Sequence, residues 1–360
     1  MKVFTSTFEN AFPAPKNHLF FDIETTGLSA DRNMVYLIGC AWHDGSTWQF
    51  CQWFSDSREA EKDVLQAFAA HTVSFDTLVH FNGDTFDLPF LTKRYHKHRI
   101  SSGLELLHSL DLYKAVKPLK KLLGLNDLKL KSLERFLGIE REDKFTGGQL
   151  IEVYDIYLGT HDPKLEHFLM LHNEEDIQAM PSLLPFLEYG PWKEADFSFQ
   201  SITQESYLTS EGALRQEAFI QFHSEQKVPH PFISHHISGA VLAARDQQLT
   251  LRLPIYKGTL KHFYPNYRDY YYLPLECRAI HKSVGEFVDK AYREKATAAN
   301  CYIAKEGTFL PLPSSCLEPS FQTEVKDKHY YAECDEALLQ SPEQATAFVQ
   351  GWLSRFTSGK

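Results

Sequence analysis

The chain has 360 residues, of which 43% are apolar and 14% aromatic, and a formal net charge of −10. A chain of this length buries a substantial core and is long enough for two domains. It contains no uncharged apolar run of about 18 residues, so we expect no membrane-spanning helix and no membrane partner. The N-terminus lacks a basic start followed by an apolar segment, and the six cysteines show no CxxC spacing. These features argue against a secretory signal, a disulfide framework and a zinc ribbon, and they lead us to expect a cytoplasmic protein.

The first half of the chain predicts strands followed by alternating strands and helices. Strands are expected at FFDIET, MVYLIGCAW and TWQFCQWF, with the turn HDGS joining the last two as a hairpin. A helix is predicted from about Arg58, with Asp56 and Glu59 at capping-box spacing, before the strand TLVHF and a helix opened by Pro89. A strand within LLHSLDLYKAV, a short helical hairpin around LKSLERFLG and a long helix over about 164–188 follow. Residues 1–190 are therefore predicted to form a mixed sheet flanked by helices, of the α/β class.

The second half begins at Gly190 and Pro191, which end the long helix and mark a domain boundary. Beyond them, residues 240–274 contain short alternating segments joined by turns and predict an antiparallel meander. One helix is predicted over HKSVGEFVDKAYREKA and another from Ser341, with Pro342 at its first position. Residues 191–360 are therefore predicted to form a smaller α+β accessory domain with an antiparallel sheet.

Charge is distributed unevenly between the two halves. Most of the net negative charge lies in residues 1–190, as expected of a site that holds cations. Residues 252–295 reverse the balance, with nine Lys and Arg against five Asp and Glu. The more electropositive surface is therefore expected in the second half.

Two carboxylates, Asp22 and Glu24, stand one residue apart in the first of these strands. Because side chains alternate along a strand, both point to one face while Phe21 and Ile23 point to the other. Their repulsion is relieved by a shared proton or by a divalent cation. An edge strand with one solvated face explains the same pattern, so the pair alone does not identify a site.

Further acids occur where predicted elements meet. Asp87 falls between a strand and a helix, where it either faces the ends of neighbouring strands or caps the helix. His172 and Asp176 are four residues apart and therefore share one helix face, which is the apolar, core-facing side. An acid and a histidine are costly to bury there without a partner, and metal ions would supply one. Glu174 and Glu175 are then interpreted as the solvated side.

The segments FFDIETTG, FNGDTFDLPFL and HNEED resemble, in that order, the three sequence motifs of the DEDD (DnaQ-like) exonucleases of the ribonuclease-H-like superfamily. The stretch from SLDLYKAV through LKSLERFLGI to HNEEDIQAM is most similar to the bacterial YprB-like predicted exonucleases. The resemblance covers roughly residues 17–190 and implies a ribonuclease-H-like fold with 3′-to-5′ exonuclease activity. It also implies that Asp22, Glu24, Asp87 and Asp176 are the catalytic, metal-binding carboxylates. Four carboxylates can hold two metal ions, and oxygen ligands favour Mg²⁺ or Mn²⁺ over zinc.

One departure from the motifs concerns the residue that prepares the attacking water. Tyrosine-type members carry Tyr four residues before the last Asp, whereas histidine-type members carry His five residues before it. Here His172 stands four residues before Asp176, and Leu171 occupies the other position. Histidine suits a base at neutral pH, so His172 is expected to orient or deprotonate the water. A passive core histidine is the alternative.

Two groups of residues are candidates for binding a single-stranded or frayed nucleic-acid end. The first group consists of residues beside the acids or directly after the second motif. The second group consists of Lys and Arg residues interleaved with tyrosines in the second half of the chain. Nucleic-acid bases stack on aromatic rings and phosphates pair with cations, so this combination suits a single strand. Turn chemistry for the polar residues and ordinary strand composition for the tyrosines are the alternatives. The candidates are Thr25, Asn82, Lys93 and Arg94 in the first group and Lys257, Lys261 and Arg268 in the second.

Three other functions are weighed against a metal-dependent exonuclease acting on DNA or RNA. A catalytically silent nucleic-acid-binding or protein-docking module is disfavoured, because such a module has no reason to keep four costly acids. A phosphatase with an aspartyl nucleophile expects a second Asp where Glu24 stands. Nucleotide-triphosphate use is not expected, because the sequence contains no GxxxxGK[ST] loop.

Overall fold

The computed structural model describes residues 1–208, 211–314 and 316–358. The chain divides into two compact units, one of Met1–Lys120 with Leu125–Glu188 and the other of Lys121–Gly124 with Tyr189–Lys360. Among the described residues, none of the helices combines the length and the apolar character needed to cross a bilayer.

The first unit contains six strands and six α-helices. In chain order these are β1 (Lys2–Phe8), β2 (His18–Thr25), β3 (Val35–His43), β4 (Trp48–Phe54), α1 (Glu61–Thr72), β5 (Thr77–His80), α2 (Asp87–His98), β6 (His108–Asp111), α3 (Leu112–Val116), α4 (Leu130–Phe136), α5 (Gly147–Thr160) and α6 (Pro163–Ala179).

These strands form one mixed sheet in the order β1-β4-β3-β2-β5-β6. The first four strands pair antiparallel, whereas β2 pairs parallel with β5 and β5 with β6. One apolar cluster joins β2, β3, β4 and β5 to α1 and α2, and includes Phe21, Phe68 and Phe90. A second cluster joins β3 and β4 to α5 and α6 through residues such as Tyr36 and Tyr154, whose rings stack at 4.2 Å. The sheet is therefore covered by helices, and its central strands are buried on both faces.

Several elements of the first unit differ from the sequence-based expectation. The predicted capping box is wrong, because Ser57 occupies the N-cap position of a short 3₁₀ turn that precedes α1. Within LLHSLDLYKAV only His108–Asp111 is a strand, and the Asp111 side chain accepts the N–H of Tyr113 at 3.0 Å to start α3. The long helix becomes 3₁₀ after Ala179, in a segment that contains Pro185. Strand β1 and helix α5 were not predicted.

The second unit consists mainly of antiparallel sheets. Its elements are α7 (Tyr189–Lys193), β7 (Ser198–Leu208), β8 (Leu214–His223), β9 (Phe232–His235), β10 (Val241–Arg245), β11 (Gln248–Pro254), β12 (Tyr256–Phe263), β13 (Tyr270–Leu273), β14 (Arg278–His281), α8 (Lys282–Gly285), β15 (Glu294–Lys295), β16 (Tyr302–Leu312), β17 (Tyr330–Glu333) and α9 (Pro342–Ser358). Its sheets have the orders β7-β8-β11-β10-β9, β12-β16-β17 and β14-β13-β15. The α+β class with antiparallel sheets is confirmed.

The predicted meander is correct only for β10 and β11. Strand β12 instead pairs with β16, so that Tyr256 lies opposite Phe309, and β13 pairs with β14 and β15 in a separate sheet. The helix predicted over residues 281–296 is wrong, since only Lys282–Gly285 is α-helical. Val284 and Phe287 are 57% and 90% exposed, so this segment finds no core against which a longer helix could pack. The last helix, α9, is where the sequence placed it.

Candidate active site

Asp22 and Glu24 lie toward the end of β2, beyond the point where its parallel neighbour stops. β2 pairs with β5 only from His18 to Phe20, and its register with β3 is irregular between Glu24 and Thr25. Asp87, the first residue of α2, fills the open side: its Oδ1 accepts the N–H of Ile23 at 3.3 Å. The third carboxylate is thereby tied to the residue that separates the two strand acids.

Helix α6 brings the fourth carboxylate, because it packs directly on β2 and β3. Gly39 of β3 lies opposite Asp22, and a Cβ at Gly39 would stand only 2.0 Å from Asn173 Oδ1 and 2.4 Å from Ile177 Cδ1. The absent side chain therefore lets the helix approach the sheet closely. Asn173 is completely buried and donates from Nδ2 to Asp22 Oδ2 at 2.9 Å, while its Oδ1 accepts from Gln52 Nε2 at 2.9 Å.

The four carboxylates are close enough to perturb one another. Burial, followed by the charges of Asp87, Glu24 and Asp176, raises the pKa of Asp22 well above its ordinary value. Burial and the charges of Asp176 and Asp87 do the same to the pKa of Glu24, and burial raises the pKa of Asp87 to about 7. Among the described residues, no Lys or Arg forms an ion pair with Asp22, Glu24 or Asp87. The set presents hard oxygen donors with uncompensated negative charge, so it fits divalent cations such as Mg²⁺ or Mn²⁺.

Arg141, in the loop between α4 and α5, is the cation that reaches Asp176. Its Nη2 lies 2.5 Å from Asp176 Oδ1, its Nη1 lies 3.0 Å from both Glu134 oxygens, and its Nε lies 3.2 Å from Glu175 Oε2. Glu175 also accepts the N–H groups of residues 142 and 143, at 2.7 Å and 3.1 Å. Glu175 therefore anchors this loop, which differs from the solvated role expected for it. Burial raises the pKa of Glu134 to about 7.

His172 lies on the same face of α6 as Asp176. Its Nε2 is 3.7 Å from Glu24 Oε1 and 3.8 Å from Asp176 Oδ2, so the ring faces the carboxylate cluster. Its Nδ1 lies 2.7 Å from Asp143 Oδ2, and both side chains are buried. Asp143 also accepts from Lys131 Nζ at 2.8 Å and from the N–H of Phe145 at 3.0 Å.

The candidate substrate-binding residues of the first unit have different surroundings. Thr25 donates from Oγ1 to the Gly27 carbonyl at 3.0 Å, and the backbone of Asn82, at φ 65°, donates to Asp111 Oδ1 at 2.8 Å. Lys93 is exposed and lies 3.3 Å from Asp31. Arg94 is 4% exposed, pairs with both oxygens of Glu61 and donates to the Ala30 carbonyl at 2.9 Å. It has no face left for a phosphate, so we interpret Arg94 as structural and remove it from the substrate-binding candidates.

A second group of metal-ligating side chains consists of His80, Asp84 and Asp111, with one donor atom of each within 4.8 Å of the others. Most of the donor atoms of this group already have a hydrogen-bond or ion-pair partner within the protein. His80 Nδ1 accepts the N–H of Gly83 at 3.1 Å and Nε2 lies 2.8 Å from Ser109 Oγ, while Asp84 pairs with Lys114. In the part of the chain that the structure describes, Asp111 Oδ2 alone among these donors has no hydrogen-bond partner. This group fits a cation less well than the four carboxylates do, and it holds the turn that precedes Asp87.

In the second unit, the candidate cations lie beside tyrosines that pack on one another. Lys257 and Arg268 are exposed, and Lys261 Nζ lies 4.7 Å from the centre of the Tyr302 ring. The rings of Tyr264 and Tyr270 stack at 4.6 Å and border the small core around Cys301. Part of this aromatic surface is therefore used to stabilise the unit itself.

Sequence reasoning missed Asn173, Arg141 and Asp143, which hold Asp22, Asp176 and His172 respectively. Of the three, only Asn173 could have been identified from the sequence, because it directly follows His172 within the third motif. Arg141 and Asp143 lie in an irregular loop, where no periodicity indicates which side chains turn inward.

A comparison with protein-family models agrees with this architecture. Residues 19–187 match the RNase_H superfamily. No curated protein matches the chain. The first unit has an RNase H-like fold, and the predicted fold class is confirmed.

Several solved structures are similar to parts of the chain at low identity. The zinc-bound E. coli exonuclease I complex with single-stranded DNA is 14% identical, with a TM-score of 0.29 over 58% of this chain and 55% of that one. A family B DNA polymerase from Pyrobaculum calidifontis is also 14% identical, with a TM-score of 0.39 over 98% of this chain and 47% of that one. A product-bound exonuclease I is 12% identical, with a TM-score of 0.33 over 57% and 58%. The chain thus spans about half the length of these structures.

Proposed function

We propose that the protein is a metal-dependent nuclease that removes nucleotides in the 3′-to-5′ direction from single-stranded or frayed nucleic-acid ends. The observation that carries the proposal is the convergence of Asp22, Glu24, Asp87 and Asp176 from β2, α2 and α6, where each of the first three has a raised pKa. Among the described residues, Asp22, Glu24 and Asp87 have no Lys or Arg partner, and such buried acids destabilise the metal-free fold, so their convergence with Asp176 is explained by a ligand that needs them. The polarity rests on the resemblance of the three motifs to those of DEDD exonucleases.

The chemistry follows from the ligand set. Two Mg²⁺ or Mn²⁺ ions held by the four carboxylates would activate a water for in-line attack on a phosphodiester and stabilise the departing oxygen. His172 contributes a second basic atom, since Nε2 faces Glu24 and Asp176 at 3.7 Å and 3.8 Å and can orient the water or take up its proton. Asn173 holds Asp22 in place, and Arg141 pairs with Asp176 and offsets part of its charge until an ion binds.

Substrate binding is assigned to the remaining polar and basic candidates. Thr25 directly follows Glu24 and Asn82 lies five residues before Asp87, and we assign their side chains to a terminal nucleotide. Lys93 is exposed and suits a backbone phosphate. In the second unit, exposed Lys257 and Arg268, with Lys261 beside Tyr302, suit sequence-tolerant binding of a single strand.

The test is digestion of single-stranded DNA and RNA labelled at the 3′ or the 5′ end, with Mg²⁺, Mn²⁺ or EDTA. Asp22→Asn keeps the size of the side chain but removes its charge, and exposed Asp63→Asn on α1 is the matched control. We expect stepwise loss from the 3′ end that requires metal, persists in Asp63→Asn and falls at least about 100-fold in Asp22→Asn. The more susceptible polymer identifies the substrate class.

A measurement independent of activity separates the enzyme from a silent binding module with the same fold. If the carboxylates hold Mn²⁺, the ion raises the melting temperature of the wild type and of Asp63→Asn but not that of Asp22→Asn. Absence of both cleavage and the metal-dependent shift, with nucleic-acid binding retained, would favour the silent module.

A further inference from the structure

We propose that Asp143 is a positioning residue for His172: it fixes the Nδ1–H tautomer and directs Nε2 at the carboxylate cluster. The inference rests on the proposed function, since the reaction in which His172 acts is the metal-dependent hydrolysis. The contact that carries it is the 2.7 Å separation between His172 Nδ1 and Asp143 Oδ2. Both residues are buried, with Asp143 8% and His172 7% exposed, so the pair is shielded from competing water.

Asp143 is itself held by several donors, which makes it a fixed acceptor. Lys131 Nζ donates to the same Oδ2 at 2.8 Å, and the N–H of Phe145 donates to Oδ1 at 3.0 Å. The Asp143 N–H donates to Glu175 Oε2 at 3.1 Å, which ties its backbone to α6. Burial opposes ionisation, but the hydrogen bonds from Lys131, Phe145 and His172 hold the pKa of Asp143 below its ordinary value. An ionised carboxylate accepts hydrogen bonds only, so Nδ1 must be the protonated nitrogen.

The consequence lies at the opposite ring nitrogen. With the proton on Nδ1, Nε2 of a neutral ring carries the lone pair, and this atom faces Glu24 and Asp176. A water bound among those carboxylates would meet a hydrogen-bond acceptor. In the other tautomer, Nε2–H would donate to the carboxylates and could accept no proton. The Asp143 contact therefore decides which of two opposite roles His172 can play.

The competing explanation is that Asp143 only fastens the loop of residues 139–146. The two explanations differ in a double-mutant cycle with His172→Gln. If Asp143 acts through His172, Asp143→Asn lowers kcat about 10- to 100-fold with KM within about twofold, and causes no further loss in the His172→Gln background. A loop fastener lowers kcat by the same factor in both backgrounds. Lys131→Met removes the Lys131 hydrogen bond to Oδ2 while leaving His172 and the Arg141 Nη2 ion pair at 3.8 Å in place, and Asp63→Asn is the surface control.

The tautomer is read directly from ¹⁵N chemical shifts of the full-length, metal-free protein at about pH 8.5, roughly two units above the ordinary histidine pKa. The resonance that disappears in His172→Gln identifies the residue. We expect an Nδ1–H pattern that changes to Nε2–H or to a mixture in Asp143→Asn and persists in Lys131→Met. An Nε2–H pattern in the wild type, or equal losses of kcat in both backgrounds, would overturn the proposal. An Nδ1–H pattern in a protein that cleaves no nucleic acid would leave the positioning by Asp143 standing and refute the nuclease instead.

Discussion

Replacing Gly39 by alanine tests whether the close approach of α6 to the sheet builds the site. The added methyl group would stand 2.0 Å from Asn173 Oδ1 and 2.4 Å from Ile177 Cδ1, both of which belong to the helix. Carbon and oxygen atoms in contact lie more than 3 Å apart, so either Asn173 leaves its place or α6 moves away by about 1 Å. Each outcome breaks or strains the bond from Asn173 to Asp22 and shifts Asp176, less than one helical turn further on.

The free energy of this change combines three contributions. Overpacking a well-filled interface costs about 1–3 kcal/mol. Loss of the bond from Asn173 to the Asp22 carboxylate costs about 1.5–3 kcal/mol, whereas replacing a strand glycine by alanine returns about 0.5–1 kcal/mol. The expected net decrease in the free energy of unfolding is therefore about 1.5–5.5 kcal/mol.

Urea unfolding of Gly39→Ala, with and without Mn²⁺, measures both the stability and the metal coupling. Gly159→Ala on α5 is the matched control, because a Cβ there meets nothing within 4 Å and helix propensity favours alanine by about 1 kcal/mol. We expect Gly39→Ala to lose stability and most of the stabilisation by Mn²⁺, and the control to lose neither. A Gly39→Ala protein within about 0.5 kcal/mol of the wild type, with its response to Mn²⁺ intact, would refute the reasoning.

Three further changes have defined outcomes. Arg94→Met leaves the Glu61 carboxylate buried without its bidentate partner, so the free energy of unfolding should fall by about 3–5 kcal/mol; a loss below about 1 kcal/mol in urea titrations would contradict the structural role given to Arg94. Asp87 has a pKa of about 7 in the folded protein against 3.8 ordinarily, so the folded state binds more protons and the metal-free protein should lose stability as pH rises from about 4 to 7. Asp87→Asn should flatten that part of the stability profile, and an unchanged slope would count against the buried, charged environment assigned to this acid. Arg141→Met removes a positive charge 2.5 Å from Asp176, so Mn²⁺ should bind several-fold more tightly. Calorimetry measures this as a lower Mn²⁺ concentration at half-saturation. A higher concentration would show that Arg141 instead positions Asp176 for the ion.

The acids were predictable because regular elements impose a geometry on neighbouring residues. Alternation along β2 places Asp22 and Glu24 on one face, and the four-residue spacing on α6 places His172 with Asp176. Asp87 was identified from its position before Pro89, although its contact with the Ile23 N–H depends on where β5 ends. These inferences need only the local period of each element.

The parts that could not be predicted depend on contacts distant in sequence. Arg141 and Asp143 turn inward because Glu175 accepts backbone N–H groups from their loop, and no local pattern specifies that partner. Helix α5 begins with two glycines, which usually indicate a turn, but a capping box between Thr146 and Gln149 and burial of Leu150, Tyr154 and Tyr157 stabilise it. Strand β12 reads as the continuation of a meander, whereas its partner β16 lies nearly 50 residues later.

The bond between Asn173 and Asp22 joins residues 151 positions apart, and this separation determines when the site can form during synthesis on the ribosome. A nascent chain that has emerged only through α5 already exposes Asp22, Glu24 and Asp87 but not the helix that closes over them. At typical elongation rates of about 5–20 residues per second, roughly seven to thirty seconds separate the appearance of β2 from that of α6. Throughout that interval the acidic end of β2 is open to solvent, and a chain truncated before residue 163 would remain in that incomplete form.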